Sequence, residues 1–272
     1  MAQGRKVVCC DLDGVVWRGD EPIRGSAAGI ELLRRSGLRV GFLSNNSSLT
    51  VSDVAAKLAR IGVDVAERDV LTSALAAADL LAAALPRGAR VLVCGGPGVH
   101  EALTGAGLHP VTEPPAAAVV VGFHRDFDFE ELDRASRAIR AGARLVATNL
   151  DATYPVPGGL LPGAGSIVAA IATASGTAPE VAGKPSRPMA ELVRRRLGAD
   201  GVVVGDRPST DGAFADELGW PFALVLSGVT GPDPPPGGES IPDPPPPFVA
   251  DDLASLVPGL VEAFGATRPR LT

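Results

Sequence analysis

Short apolar runs alternate along the chain with segments whose apolar residues recur every three or four positions. The apolar runs are bounded by turn residues, as buried strands are, and lie at 7–10, 38–43, 91–94, 116–121, 144–148, 202–204 and 222–226. The helical spacing occurs at 27–36, 50–61, 73–85, 130–141, 166–175 and 189–197. Strands that alternate with helices form parallel sheets with helices on both faces. The pattern therefore predicts an α/β fold.

The middle of the chain repeats the strand–helix order of its flanks, and more strands are predicted than one sheet of a small domain needs. We therefore predict a smaller α/β domain at 78–180, inserted into a core domain formed by 1–77 and 181–272. The proline-rich segment 231–247 predicts an extended surface loop. After it, residues 248–250 are expected to return to the edge of the sheet.

Two acidic residues directly follow the first predicted strand, in the sequence Asp11-Leu12-Asp13-Gly14. Residues two apart on an extended backbone point the same way, so both carboxylates project from the strand end. Two close carboxylates repel each other unless a cation lies between them. These four residues alone are compatible with a solvated loop as well as with a functional site.

Three further polar clusters fall at the ends of predicted elements. Ser44 and Asn45 follow the strand at 38–43, Asp206 follows the strand at 202–204 with Asp211 five residues on, and Lys184 precedes a helix. Taken singly, each has a structural explanation as a turn, a helix cap or a surface cation. Ligands of open parallel sheets bind outside the carboxyl ends of the strands. If the strands are neighbours, all four clusters meet there.

In this order and at these separations, the chain resembles the haloacid dehalogenase superfamily of phosphohydrolases over nearly its whole length. The four motifs that carry the resemblance are Asp11-Leu12-Asp13-Gly14, Ser44-Asn45-Asn46, Lys184 and Gly205-Asp206 with Asp211. Further segments are similar to the class IIA, p-nitrophenylphosphatase-like branch: Thr148-Asn149-Leu150-Asp151, Tyr154-Pro155 and Pro162-Gly163-Ala164-Gly165-Ser166. The resemblance implies a doubly wound, Rossmann-like parallel-sheet core with a smaller α/β cap inserted between the second and third motifs.

The resemblance also implies a Mg²⁺-dependent phosphatase that hydrolyses small phosphomonoesters through an aspartyl-phosphate intermediate. Asp11 would be the nucleophile, and Asp13 would protonate the leaving alkoxide and later deprotonate the attacking water. The carboxylates of Asp11 and Asp206 and the backbone carbonyl of Asp13 would bind Mg²⁺, which prefers oxygen ligands. Asp211 would orient a metal-bound water from outside the direct ligands.

The phosphate-binding residues implied by the resemblance are Gly14, Ser44, Asn45 and Lys184. In the cap, the candidates for substrate specificity are Asn149, Asp151, Tyr154 and His124. His124 stands where this branch often carries an acidic residue, so the specificity of relatives does not transfer directly to this chain.

The formal net charge of −6 repels nucleic acids and anionic membranes, so we expect a small phosphorylated metabolite as the partner. The three cysteines fall in apolar runs, which predicts buried thiols in a reducing compartment. No apolar stretch reaches the roughly 18 residues that span a bilayer. These observations predict a cytoplasmic protein, and the resemblance alone is compatible with a homodimer formed through the cap.

Other functions share parts of this pattern. A phosphotransferase or mutase of the same superfamily would pass the phosphoryl group to a sugar hydroxyl. A receiver-type signalling module also combines an acid cluster with a phosphoacceptor aspartate, although such modules are about half this length. A catalytically silent binding protein on the same scaffold is a third alternative. The sequence leaves sugar phosphates, glycerol phosphate and nucleotides open as substrates.

Overall fold

The computed structural model describes residues 6–156, 159–234 and 237–265. The chain divides into two compact units. The first unit comprises Met1–Leu43, Ala55–Val70 and Val193–Thr272, and the second comprises Ser44–Val54 and Leu71–Leu192. The second unit is thus larger than the predicted inserted domain, because it also takes in 44–54 and the residues on either side of 78–180. The domain boundaries given above stay a prediction.

The predicted strands and helices occur in the predicted order, and the structure adds further short strands and three helices to them. The strands are β1 Val7–Asp11, β2 Trp17–Arg18, β3 Glu21–Pro22, β4 Arg39–Ser44, β5 Val70–Thr72, β6 Arg90–Cys94, β7 His109–Val111, β8 Ala118–Val121, β9 Arg144–Ala147, β10 Thr153–Val156, β11 Gly159–Pro162, β12 Glu180–Val181, β13 Gly201–Gly205, β14 Phe222–Val225, β15 Thr230–Gly231, β16 Glu239–Ser240 and β17 Phe248–Ala250. The α-helices are α1 Ser26–Arg35, α2 Val51–Arg60, α3 Ser73–Ala84, α4 Pro97–Gly105, α5 Phe129–Arg140, α6 Ala164–Ser175, α7 Arg187–Arg196, α8 Ala213–Leu218 and α9 Leu253–Phe264.

The first unit is built on a sheet with the strand order β17-β14-β13-β1-β4-β5. β1 pairs in parallel with both β13 and β4, and it is buried along its whole length. A strand covered on both faces must be continuously apolar, which explains the run that precedes Asp11. β4 and β5 lie on one side of β1, and β13, β14 and β17 lie on the other. The strand order therefore reverses at β1, which is where open parallel sheets bind ligands.

The second unit contains a parallel sheet of its own, with the strand order β12-β9-β8-β6-β7. Its apolar core joins residues of β6, β8 and β9 to the buried faces of α5 and α6. The strand order also reverses within this sheet, between β6 and β8. Two parallel sheets with packed helices confirm the predicted α/β fold class.

Local signals set several element ends. At the start of α2, the Asp53 N–H donates to Thr50 Oγ1 at 3.1 Å and the Thr50 N–H donates to Asp53 Oδ2 at 3.3 Å. This reciprocal pair is a capping box, in which two N–H groups at the helix start are satisfied. The predicted return to the sheet is also confirmed, since β17 pairs with β14 at the sheet edge.

The proline-rich segment is less irregular than predicted. β16 lies within it and pairs in parallel with β15, while residues 235 and 236 lie outside the described residues. The sequence pattern also missed α4, whose first residue, Pro97, lies between two glycines and so resembles a turn. Pro97 occupies the first turn of that helix, where its missing N–H costs nothing.

Cys9, Cys10 and Cys94 are all buried, as predicted. Across 6–156, 159–234 and 237–265, every helix is too short or too polar to cross a bilayer.

Candidate active site

Three carboxylates meet at the carboxyl edge of the first unit's sheet. Asp11, Asp206 and Asp211 each offer an oxygen, and these oxygens all lie within 4.8 Å of one another. Asp11 ends β1 and Asp206 follows β13, and the parallel register that pairs Cys10 with Val204 brings these two strand ends together. The exposed fractions of the three residues are 8%, 5% and 1%.

Asp206 is held by the loop that follows β14. The Val229 N–H donates to Asp206 Oδ2 at 2.8 Å. Gly14 and Gly228 both pack against the Asp206 carboxylate so closely that a methyl group on either would overlap it. Gly14 also has a φ of 86°, which disfavours other residues. Glycine at position 14 therefore makes room for the Asp206 carboxylate, whereas the sequence analysis assigned it to the phosphate.

Asp211 enters the cluster through a π-helical turn at Pro208–Gly212. The Arg207 N–H donates to Asp211 Oδ2 at 3.2 Å, which turns the carboxylate back toward the strand end. The sequence analysis placed Asp211 outside the direct metal ligands. In the structure, an Asp211 oxygen lies within 4.8 Å of an oxygen of Asp11 and of Asp206. Its assignment as a direct or an outer ligand stays a prediction.

The carboxylate cluster suits a small divalent cation. Three buried carboxylates at this separation repel one another, because little solvent screens them. Carboxylate oxygens are the donors that Mg²⁺ prefers, and a bound divalent cation reverses the local repulsion. The residues that could hold Mg²⁺ are therefore Asp11, Asp206 and Asp211.

The carboxylate of Asp13 is oriented separately. Trp17 Nε1 donates to Asp13 Oδ1 at 2.9 Å. The Lys57 ammonium lies 4.4 Å from the centre of the Trp17 ring and donates to the Gly19 carbonyl. The indole N–H of Trp17 thus orients the side chain that is predicted to act as general acid.

The second unit brings together another group of predicted site residues. Asn45 Oδ1 accepts a hydrogen bond from the Lys184 N–H at 2.9 Å, and Asn45 Nδ2 donates to the Lys184 carbonyl at 3.1 Å. Lys184 is only 3% exposed, and Ser44 is buried as well. The Ser44 hydroxyl accepts from the Asn46 N–H at 3.0 Å. Residues from the second and third motifs are thus linked directly.

The cap candidates separate into two pairs. Asn149 and Asp151 belong to the Asn45 network: Asn149 Nδ2 donates to the Asn45 carbonyl at 2.6 Å, and Asn45 Nδ2 donates to Asp151 Oδ2 at 3.1 Å. These contacts give Asn149 and Asp151 a role in holding Asn45. Tyr154 contacts Phe123 and Arg125, and His124, which lies between these two in the chain, contacts Glu131.

The structure therefore assembles the predicted residues as two groups, one in each unit. Asp11, Asp206 and Asp211 form the first group, and Ser44, Asn45 and Lys184 belong to the second. The sequence analysis did not identify Trp17 as a partner of Asp13. It also missed Glu131, the partner of His124, because the six residues between them carry no local signal of the contact.

Comparisons with known proteins agree with this arrangement. Residues 8–109 match the family described as haloacid dehalogenase-like hydrolase, and residues 181–256 match the HAD-hydrolase-like family. The two matches cover the strands that carry Asp11 and Asp206 and the segment that carries Lys184.

Curated relatives are named as phosphatases. The chain is 42% identical over 232 residues to the D-glycerol 3-phosphate phosphatase of Mycobacterium tuberculosis, covering 84% of this chain but only 65% of that protein. It is 34% identical over 281 residues to the glycerol-3-phosphate phosphatase of Gallus gallus, covering 92% of this chain and 90% of the relative.

Solved structures share the fold. The glycerol phosphate phosphatase of Mycobacterium tuberculosis in complex with magnesium superposes with a TM-score of 0.84 at 38% identity, covering 98% of this chain and 81% of that one. The p-nitrophenyl phosphatase of Archaeoglobus fulgidus gives a TM-score of 0.83 at 31% identity, covering 94% and 99%. The chain therefore belongs to the haloacid dehalogenase-like hydrolases, in their p-nitrophenylphosphatase-like branch.

Proposed function

We propose that this protein is a Mg²⁺-dependent phosphatase that hydrolyses small phosphomonoesters through a phosphorylated aspartate. The observation that carries the proposal is the cluster of three buried carboxylates formed by Asp11, Asp206 and Asp211. Such a cluster is costly for folding and is explained by a function that uses a cation. When bound there, Mg²⁺ would neutralise the carboxylates and stabilise negative charge on the phosphoryl oxygens.

Asp11 is the proposed nucleophile. One of its carboxylate oxygens forms a bond to phosphorus while the bond from phosphorus to the ester oxygen breaks, which leaves an acyl phosphate on Asp11. Asp13 donates its proton to the departing alkoxide. In the second step Asp13 takes a proton from water, whose oxygen attacks phosphorus and releases inorganic phosphate and the free Asp11 carboxylate.

Ser44, Asn45 and Lys184 are proposed to bind the phosphoryl group. The sheet register supports this, because Leu43 is the register partner of Asp11 and Ser44 is the next residue along the chain. The hydrogen bonds between Asn45 and Lys184 would keep the second and third motifs in a constant relation. The Lys184 ammonium supplies a compact positive charge for the phosphoryl oxygens in both steps.

For the substrate, we propose a phosphorylated polyol or sugar. Support comes from the relatives, which are named as glycerol-3-phosphate phosphatases and, in Staphylococcus aureus, as an acid sugar phosphatase 34% identical over 228 residues. The net charge of −6 and the buried thiols support a cytoplasmic enzyme that does not bind nucleic acid. A homodimer stays a prediction from the family resemblance.

The proposal is tested by measuring phosphate release from a panel of phosphomonoesters, with and without Mg²⁺. We expect turnover of glycerol 3-phosphate or sugar phosphates that chelation abolishes. Asp11→Asn should lower kcat by roughly 10⁴-fold or more, since it removes the nucleophile. Asp64→Asn, at an exposed acid of the same unit, is the matched control and should leave kcat unchanged. Turnover that persists in Asp11→Asn would contradict the proposal.

A further inference from the structure

The second unit has a cleft at the point where the strand order of its own sheet reverses, between β6 and β8. The loop after β6 supplies Gly95–Pro97 to the cleft, and the loop after β8 supplies Phe123–Asp126. Its volume is about 700 Å³, which is large enough for a small metabolite. Open parallel sheets bind ligands where strand order reverses, and β6 and β8 are the strands on either side of that point.

One wall of this cleft is tied to Tyr154. The rings of Phe123 and Tyr154 meet edge to face, with their centres 4.9 Å apart. Arg125 Nη2 donates to the Tyr154 hydroxyl at 3.0 Å. Phe123 and Arg125 are the chain neighbours of His124, so a contact that fixes His124 also restrains the backbone from which both side chains extend. We call Phe123, Arg125 and Tyr154 the aromatic wall.

The His124 side chain contacts helix α5 through Glu131. His124 Nε2 lies 2.7 Å from Glu131 Oε2, and His124 Nδ1 lies 3.3 Å from the Gly122 carbonyl. A doubly protonated imidazole would donate to both acceptors at once. The side chains of His124 and Glu131 are 12% and 15% exposed, so this ion pair is shielded from water far more than an ordinary surface pair.

Glu131 is itself fixed from two sides. Its backbone N–H donates to Asp128 Oδ1 at 2.8 Å, which caps α5. Its carboxylate neighbours the Cys94 thiol at the end of β6, and burial and Glu131 together raise the pKa of Cys94 well above its usual range. Cys94 is therefore a neutral neighbour, and Glu131 carries the charge that faces His124.

We infer that the His124–Glu131 ion pair is a positioning device that holds the aromatic wall in place and thereby sets the affinity of the cleft for the organic part of the substrate. This inference rests on the proposed phosphatase function. Ser48, which also lines the cleft, lies three residues after Asn45. Three residues span at most about 11 Å, so the cleft begins close to the proposed phosphate-binding segment.

The pair depends on pH. Burial lowers the pKa of His124, but the hydrogen bond and the charge of Glu131 outweigh it, with smaller contributions from the Gly122 carbonyl and Asp126, and the pKa lies above its ordinary value. Arg134 is the cation that acts on the neighbouring Cys94. His124 is therefore protonated below the ordinary histidine pKa of about 6.5, and the pair weakens as pH rises through the raised pKa.

Tyr154 permits a measurement that needs no substrate, because it is the only tyrosine of the chain. In protein labelled with 3-fluorotyrosine, a single ¹⁹F resonance reports on the aromatic wall. We expect Glu131→Gln to shift or broaden this resonance and to remove its change with pH, and His124→Asn to have the same effect. Asp133→Asn is the matched control, because it breaks an exposed ion pair of the same helix, with Arg137.

The part of the inference that concerns substrate affinity is tested by measuring KM and kcat separately. Glu131→Gln should raise KM for the best phosphomonoester by about tenfold, the loss expected for one charge-assisted hydrogen bond, and leave kcat within about twofold. Asp133→Asn should change neither. The double variant His124→Asn/Glu131→Gln should be no worse than either single variant, because the two residues act as one unit.

The outcomes separate two failures. A wild-type protein that releases no phosphate from any ester would overturn the proposed function, together with the inference that the ion pair sets substrate affinity. If the enzyme is active but neither Glu131→Gln nor His124→Asn changes its KM or its ¹⁹F resonance, the inference alone would be overturned. A fall in kcat at unchanged KM would also contradict it, since it would place the pair in the chemical step.

Discussion

The two units treat buried charge in opposite ways. In the first unit, Asp11, Asp206 and Asp211 place three like charges within 4.8 Å of one another. In the second unit, the charge of Glu131 meets the opposite charge of His124 at 2.7 Å. The first arrangement gathers carboxylate oxygens of the kind that bind a divalent cation, whereas the second joins two side chains of opposite charge. A cluster of like charges is characteristic of a binding site, and a pair of opposite charges holds two elements together.

The largest effect is expected from a substitution that crowds the carboxylate cluster of the first unit. Gly228→Ala should displace the Asp206 carboxylate, because the added methyl group would overlap it. We expect the affinity for Mg²⁺ and kcat/KM to fall roughly 10–100-fold, as for other changes that misplace a metal ligand.

Gly231→Ala is the control for this crowding, since a methyl group at Gly231 meets no atom within 4 Å. Mg²⁺ titrations of activity for both variants check the expectation. Equal Mg²⁺ requirements in Gly228→Ala and the wild-type enzyme would show that Asp206 does not need its observed position.

Removing one of the three carboxylate charges should change the thermal stability of the protein. In the absence of divalent cations, Asp11→Asn should unfold at a higher temperature than the wild type, by roughly 2–4 °C for each 1 kcal/mol of repulsion relieved. Mg²⁺ should then stabilise the wild type more than the variant, because binding to the folded state raises its stability.

Thermal unfolding with chelator and with Mg²⁺ measures both effects. If Asp11→Asn is less stable than the wild type under chelation, other interactions of Asp11 within the protein outweigh the repulsion between the carboxylates, and this expectation is wrong.

The smallest expected effect is the pH dependence of the second unit's pair. The folded-state pKa of His124 is raised, so its stabilising contribution is fully present below the ordinary histidine value of about 6.5 and is lost as pH rises through the raised pKa. The difference in melting temperature between the wild type and Glu131→Gln should therefore be largest at mildly acidic pH and should shrink above neutrality.

Melting curves across this pH range test the linkage, with Asp133→Asn again as the control. A difference that grows with pH would mean that His124 is neutral in the folded protein at acidic pH.

The family resemblance was available from the sequence because short motifs carry it. Asp11 and Asp206 each follow a continuously apolar strand, and such strands are recognisable from local pattern alone. The capping box at Thr50 and Asp53 was equally accessible, because its two hydrogen bonds join residues three apart. α4 was missed because its glycine-rich start mimics a turn.

The partners of the site residues were not accessible in this way. Asn45 contacts Lys184 and Asp151, which lie more than one hundred residues away, and no sequence period connects them. For this reason the hydrogen bonds that Asn149 and Asp151 make with Asn45 were not foreseen, and their role in substrate specificity stays a prediction.

The sequence by itself determined the alternation of strands and helices and the placement of acids at strand ends, because both follow from the local periodicity of apolar residues. Only the tertiary structure decided that Asp211 joins Asp11 and Asp206, that Gly14 makes room for Asp206, and that His124 pairs with Glu131. These contacts depend on which strands are neighbours and on how loops pack against them. That information lies in the summed packing of the whole chain and not in any segment of it.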